Sequence, residues 1–213
     1  LSWIYLVSNV GLPDWNRDIT MKLLHLDASP LGQHSVSRAL TAAVVAQITR
    51  ETPNTSVTYR DLATHALPHW TPVVDAQSEA AKLGETVLDE FLAADVIVIG
   101  APMYNFSIPS QLKAWIDRIA VAGKTFRYSE SGVQGLATGK RVVVVSSRGG
   151  VYSSGPMTAM DFQENYLRTV LGFIGITDVE FIRAEGVNLS AEHKTNAVAA
   201  AHATISQLAS KAA

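Results

Sequence analysis

The chain has 213 residues, 47% of them apolar and 17% charged, and a net charge of −2. That length suits one α/β domain, and the near-neutral charge argues against nucleic acid or an anionic membrane surface as a partner. The absence of cysteine excludes disulfides, thiolate nucleophiles, iron–sulfur clusters and cysteine-ligated zinc, and no apolar run approaches the ~20 residues that a membrane span needs.

Residues 1–20 (LSWIYLVSNVGLPDWNRDIT) begin with Leu1 and precede Met21. The apolar stretch 3–7 is short, with no basic region before it and no small-residue cleavage site after it, so it does not read as a signal peptide. Residues 1–20 are expected to be a non-native or disordered extension. Residues 21–213 are expected to form one domain, located in the cytoplasm.

From Met21 onward, short apolar runs alternate with helical stretches. Residues 22–28 (KLLHLDA) read as a strand, and residues 35–50 as a helix with Leu40, Val44 and Ile48 on one face. Residues 56–61 (SVTYRD) alternate and read as a strand near an edge. Residues 62–77 contain Pro68 and Pro72 and read as a loop. Ser78 suits an N-cap for a helix over 78–92. Residues 95–101 (DVIVIGA) form a continuous apolar run, as a strand buried on both faces requires. Pro109 suits the first turn of a helix over 109–122. The Gly- and Ser-rich stretch 124–139 reads as an excursion, in form a small hairpin. Residues 141–147 (RVVVVSS) are a second doubly buried strand, followed by a helix over 158–172. Residues 178–184 (DVEFIRA) are the last strand, and Ser190 caps a closing helix over 190–208.

Five strands separated by helices demand right-handed crossovers and a parallel sheet. The expected fold is a doubly wound α/β sheet of order 2-1-3-4-5 with helices on both faces. Ligands of such sheets bind at the carboxyl ends of strands, where the strand order reverses. The loops after Ala28, Ala101 and Ser147 are therefore the place to look for a site.

The first loop places Ser29, Ser35 and Ser37 around a helix start. Unpaired N–H groups and the helix dipole there suit a phosphomonoester; Ser35 also serves as a plain N-cap, and both readings stand. Neither G-x-G-x-x-G nor G-x-x-x-x-G-K-[ST] is present, which argues against a dinucleotide Rossmann site and a P-loop NTPase. The second loop, A-P-M-Y-N-F-S-I-P at 101–109, is apolar and aromatic where a plain turn is polar. It suits the wall of a flat heteroaromatic ring, or a subunit contact. In the third loop, Gly149 and Gly150 allow close approach of the backbone to a ligand, as an ordinary flexible loop also would.

These loops, in this order, resemble the FMN-dependent NADH-azoreductases, flavodoxin-like homodimers akin to the NAD(P)H:quinone oxidoreductases. The resemblance runs from Met21 to the C-terminus. It rests on Ser29 with Ser35-Val36-Ser37, on 101–109, on S-R-G-G at 147–150, on G-K-T-F-R-Y at 123–128 and on L-G-F-I-G-I at 171–176. It implies that Ser29, Ser35, Val36 and Ser37 hold the FMN phosphate. Met103, Tyr104, Asn105 and Phe106 would line the isoalloxazine, and Ser147, Arg148, Gly149 and Gly150 would close over its pyrimidine edge. Phe106, Tyr128 and Phe173 match the aromatic walls of a substrate pocket at the dimer interface. For Phe173, a buried helix position is the competing reading. His34 lies within the phosphate loop, and the loop at 68–77 is shorter than in some members, which bears on substrate access and nicotinamide choice.

The resemblance further implies NADH or NADPH as electron donor, with quinones and aromatic azo compounds reduced by ping-pong hydride transfer. The chemistry belongs to the flavin, so no catalytic side chain and no metal are expected. A flavodoxin-type electron carrier docking with protein partners is the alternative. Such carriers are strongly acidic around the flavin, whereas this chain is nearly neutral and carries extra aromatic loops. A flavin-free α/β hydrolase is a weaker reading, since G-x-S-x-G is absent.

Overall fold

The structure is a computed structural model that describes residues 20–130 and 132–208. The extension expected at residues 1–20 lies, up to residue 19, outside the described residues. Among the described residues, seven strands and five α-helices follow one another: β1 Lys22–Asp27, α1 Val36–Glu51, β2 Ser56–Asp61, α2 Glu79–Ala93, β3 Val96–Pro102, α3 Ser110–Ile119, β4 Phe126–Ser129, β5 Gly132–Gly135, β6 Arg141–Ser147, α4 Glu164–Phe173, β7 Asp178–Ala184 and α5 Ala191–Ser206. Five strands form one sheet in the order β2-β1-β3-β6-β7, and every pairing in it is parallel. The strands β4 and β5 pair antiparallel as a separate hairpin. That hairpin is the excursion read between 124 and 139, and it accounts for the gap in the sheet's numbering.

Burial follows position in the sheet. The central strands β3 and β6 are buried almost throughout, while β2 at the edge is largely exposed. Alternate residues of each central strand face opposite cores. Leu24, Leu26, Ile97, Ile99, Val142 and Val144 pack against Phe91 of α2, Trp115 of α3 and Leu167 of α4. Leu23, Val96, Val98, Val143, Val145 and Ile182 pack against Leu40, Val44 and Ile48 of α1 and Ile205 of α5. A parallel sheet needs this double cover, because both faces of its strands are apolar.

Ser35, Ser78 and Ser190 cap α1, α2 and α5, each accepting the N–H of the third residue along. Pro109 stands just outside α3, as its N-cap residue. The fourth helix departs from its expected start at 158. Pro156–Met160 form a short 3₁₀ turn, and α4 begins at Glu164. The Asp161 carboxylate accepts the N–H groups of Gln163 and Glu164 at 3.0 and 2.9 Å, which sets the new start.

The hairpin is seated through two glycines. A Cβ on Gly135 would stand 2.2 Å from the Gly175 nitrogen, and Gly175 has a φ of +100°. Only glycines permit this backbone approach. The seat brings Phe126 against Phe173, ring centroids 4.6 Å apart, and Tyr128 against Phe126 at 5.6 Å.

Candidate active site at the carboxyl edge of the sheet

The three loops follow β1, β3 and β6, which are neighbours in the sheet, so they emerge side by side. Direct contacts join them. Met103 N–H donates to Ser147 C=O at 2.8 Å, and the Phe106 and Tyr152 rings meet edge-on at 6.3 Å. Pro30 of the first loop and Tyr104 and Asn105 of the second line one cleft of about 610 Å³.

In the first loop Ser29 and Ser37 are fully enclosed and Ser35 nearly so. Ser29 Oγ accepts Leu31 N–H, Ser35 and Ser37 share a hydroxyl–hydroxyl bond of 3.1 Å, and Ser35 Oγ accepts Arg38 N–H. Ser35 is thus a true N-cap. Among the described residues, the N–H groups of Val36 and Ser37 have no hydrogen-bond partner. An enclosed N–H without a partner is costly, and at a helix start it is an anion donor. His34 is exposed in a short 3₁₀ turn ahead of α1.

In the second loop Tyr104 and Ser107 exchange backbone hydrogen bonds, each 3.0 Å, around Asn105 and Phe106 at φ 48° and 70°. Two successive positive φ values define a tight turn of the primed type. The strain for a residue such as Phe is of the size found at functional sites. The turn leaves the N–H groups of Asn105 and Phe106 without partners among the described residues. The N–H groups of Met103 and Tyr104, by contrast, are committed inside the protein.

In the third loop Gly149 and Gly150 likewise keep N–H groups with no partner among the described residues, while Arg148 N–H is taken by Ala184 C=O. A Cβ on Gly149 would stand 2.8 Å from Asn188 Nδ2. The Arg148 side chain is fully buried. It meets Asp161 at 2.9 Å, Glu164 at 2.5 Å and Glu185 at 3.1 Å, and donates to Ser146 Oγ and Gln163 Oε1. Its guanidinium is therefore a brace beneath the loop. Gln163 extends the brace by donating to Ala101 C=O at 2.8 Å.

Glu185 fastens the loop's far end. Its carboxylate accepts Tyr152 N–H at 2.8 Å, Ser153 N–H at 3.0 Å and the Ser153 hydroxyl. Burial pushes this carboxyl up, but the Ser153 and Tyr152 donors and Arg148 outweigh burial and hold it below its ordinary value. Sequence reading missed Glu185, Gln163 and Asp161, which act from other elements and carry no local signature.

Of the aromatic trio, Tyr128 and Phe173 converge on Phe126, whereas Phe106 meets Tyr152. Phe106, Tyr128 and Phe173 are 38%, 74% and 36% exposed, so Phe173 is a half-open helix residue. No group of His, Cys, Asp and Glu among the described residues is placed to hold a metal ion. No helix among them is long and apolar enough to cross a membrane.

Known proteins agree with this architecture. The family described as flavodoxin-like fold matches residues 21–209. An "FMN-dependent NADH:quinone oxidoreductase" of Sinorhizobium medicae is 59% identical over 198 residues, covering 88% of this chain and 96% of the relative. A protein of the same name from Ralstonia nicotianae is 50% identical over 205 residues, covering 90% and 99%. The crystal structure of an azoreductase from Bacillus anthracis superposes with a TM-score of 0.81 at 28% identity, covering 88% of this chain and 98% of that one. An FMN-dependent NADH-azoreductase from the same species, solved in complex with FMN, gives 0.79 at 26% identity, covering 89% and 99%. The chain thus belongs to the flavodoxin-like family whose members include the FMN-dependent NADH:quinone oxidoreductases and NADH-azoreductases.

Proposed function

We propose that this chain is an FMN-dependent oxidoreductase that takes electrons from NADH, or NADPH, and reduces quinones and aromatic azo bonds. The observation that carries the reading is the set of unpartnered backbone N–H groups on three adjoining loops: Val36 and Ser37, Asn105 and Phe106, Gly149 and Gly150. They match a ligand with a phosphate at one end and a flat polar-edged ring at the other. FMN is such a molecule, and the donor set fits it.

In this reading the start of α1, with Ser29, Ser35, Val36 and Ser37, holds the phosphate. Met103 to Phe106 carry the ring's wall, with Asn105 and Phe106 supplying the free N–H groups. Gly149 and Gly150 address the ring's pyrimidine edge, and Ser147 and Arg148 fix their backbone from below. Bound FMN would supply the redox chemistry, a hydride relay from nicotinamide to acceptor in alternate half-reactions, two rounds for an azo bond and one for a quinone. The residues' part is to orient the ring and leave one face open; the carboxylates beneath the third loop, Asp161, Glu164 and Glu185, are paired with Arg148.

We also propose a homodimer with the acceptor pocket at its interface. In one chain Phe106 makes no ring contact with Tyr128 or Phe173, so a complete aromatic wall needs a second copy. A cleft of about 700 Å³ along α2 supports pairing: it exposes Trp70, Val73 and Val74. It also contains Arg118, which is buried, donates to Ala114 C=O and forms no salt bridge among the described residues. The carrier alternative is not favoured, since the chain is nearly neutral and the loop at 101–109 is aromatic. Steady NADH oxidation on adding a small quinone tests the enzyme reading; a flavin-loaded protein that oxidises no NADH would sink it. Sedimentation of the holoprotein as a monomer at assay concentration would sink the dimer.

A further inference from the structure

Arg38 directly follows the serines of the phosphate loop, and a cation there invites the role of phosphate ligand. Its geometry gives it a different task. Nε and Nη2 both donate to the Ser29 carbonyl, at 3.0 and 2.8 Å. Nη1 and Nη2 form a two-pronged pair with the Asp61 carboxylate, at 2.8 and 2.6 Å. Nη1 also donates to Tyr59 Oη at 3.1 Å. A guanidinium has five N–H donors in a fixed fork, and these contacts use all of them. None is left for a phosphate.

The charge is spoken for as well. The Asp61 hydrogen bond raises the Arg38 pKa above its ordinary value despite burial. Burial pushes Asp61 up, but Arg38, Thr64 and Ala63 together hold it well below the usual carboxylate range. Both partners are ionised at neutral pH and cancel. Asp61 is itself tied down by Ala63 N–H and by Thr64 N–H and hydroxyl, so the fork rests on the rigid end of β2.

The geometry points to Arg38 as the positioning residue that makes the site prefer FMN over riboflavin. It acts through the Ser29 carbonyl, fixing the phosphate loop against β2, so that hydroxyls and helix-start N–H groups meet the phosphate without a cation. The proposal rests on the first loop being the phosphate site. A planar two-pronged fork is required, which lysine cannot imitate.

The test titrates the full-length chain, freed of flavin, with FMN and with riboflavin, following quenching of flavin fluorescence. Unaltered protein, Arg38→Ala and Arg38→Lys are compared. Both variants should weaken FMN by about 10–100-fold, the worth of one or two charge-assisted hydrogen bonds, and change riboflavin by less than about threefold. Riboflavin is the internal control for folding, since a misfolded variant loses both ligands. Equal loss of both flavins would make Arg38 a general brace and overturn the proposal. Unchanged FMN affinity in Arg38→Ala, or full rescue by Arg38→Lys, would overturn it too, the latter by assigning a direct charge role. If the unaltered protein binds riboflavin as tightly as FMN, the phosphate site itself is misplaced, a result distinct from a failure of Arg38 alone.

Discussion

Glu185, just past the end of β7, holds Tyr152 in place: its Oε1 accepts the Tyr152 N–H at 2.8 Å. Tyr152 in turn packs edge-on against Phe106 and flanks Gly150, where an added Cβ would stand 3.3 Å from its ring. One carboxylate at the sheet edge thereby fixes both walls of the proposed ring site. Glu185→Ala is expected to cost roughly 2–3 kcal/mol of stability, the worth of charged hydrogen bonds to backbone donors, and to lower flavin content. Urea unfolding and the flavin absorbance ratio measure the two effects; a variant as stable and as yellow as the parent would contradict the role.

The same carboxylate, with Asp61, shapes the response to acid. Both are held below their ordinary values in the folded protein. A carboxyl with a depressed folded pKa contributes stability above its unfolded pKa, of about 4, and loses it as pH falls through the folded value. Stability should therefore fall as pH drops below about 4. Glu185→Gln and Asp61→Asn should each be less stable at pH 7 and show a shallower loss in acid. Chemical unfolding at a series of pH values checks this, and an unchanged slope in both variants would count against it.

The turn at Asn105 and Phe106 predicts a sharp dependence on side-chain branching. Asn tolerates positive φ, whereas a β-branched residue at φ 48° is strained. Asn105→Val should cost about 1–3 kcal/mol and release flavin, while Asn105→Gly should keep the turn and retain most of it. Thermal unfolding with and without added FMN separates the two, and equal behaviour of Val and Gly variants would show that the turn does not matter.

Gly149 faces Asn188, so steric relief is testable. Gly149→Ala sets a Cβ against Asn188 Nδ2 and should reduce flavin occupancy of the purified protein. Combining it with Asn188→Ala should restore part of that occupancy, because contacting residues couple non-additively. Strict additivity would show that the clash with Asn188 does not cause the loss, and unchanged occupancy in Gly149→Ala would place Gly149 away from the flavin.

Much of the fold could be read from runs of residues. The stretches at 95–101 and 141–147 are too apolar for anything but doubly covered strands, and Ser35, Ser78 and Ser190 each announce a helix start. The start of α4 could not be read: Asp161 caps it only because the chain turns through Pro156–Met160 first. The three loops were legible as a candidate site because their apolar and glycine content suits no ordinary turn. Which donors remain free was not legible. Met103 and Tyr104 spend theirs on Ser147 and Ser107, residues distant or opposed in the chain. Arg148 looked like a ligand, yet it is neutralised by carboxylates from other elements.

The most direct measurement is an anaerobic pair of half-reactions on the purified, flavin-loaded protein. NADH alone should bleach the flavin absorbance, and a small quinone added afterwards should restore it, at rates that account for steady turnover. Flavin that NADH does not bleach, or that a quinone does not restore, would contradict the enzyme proposed.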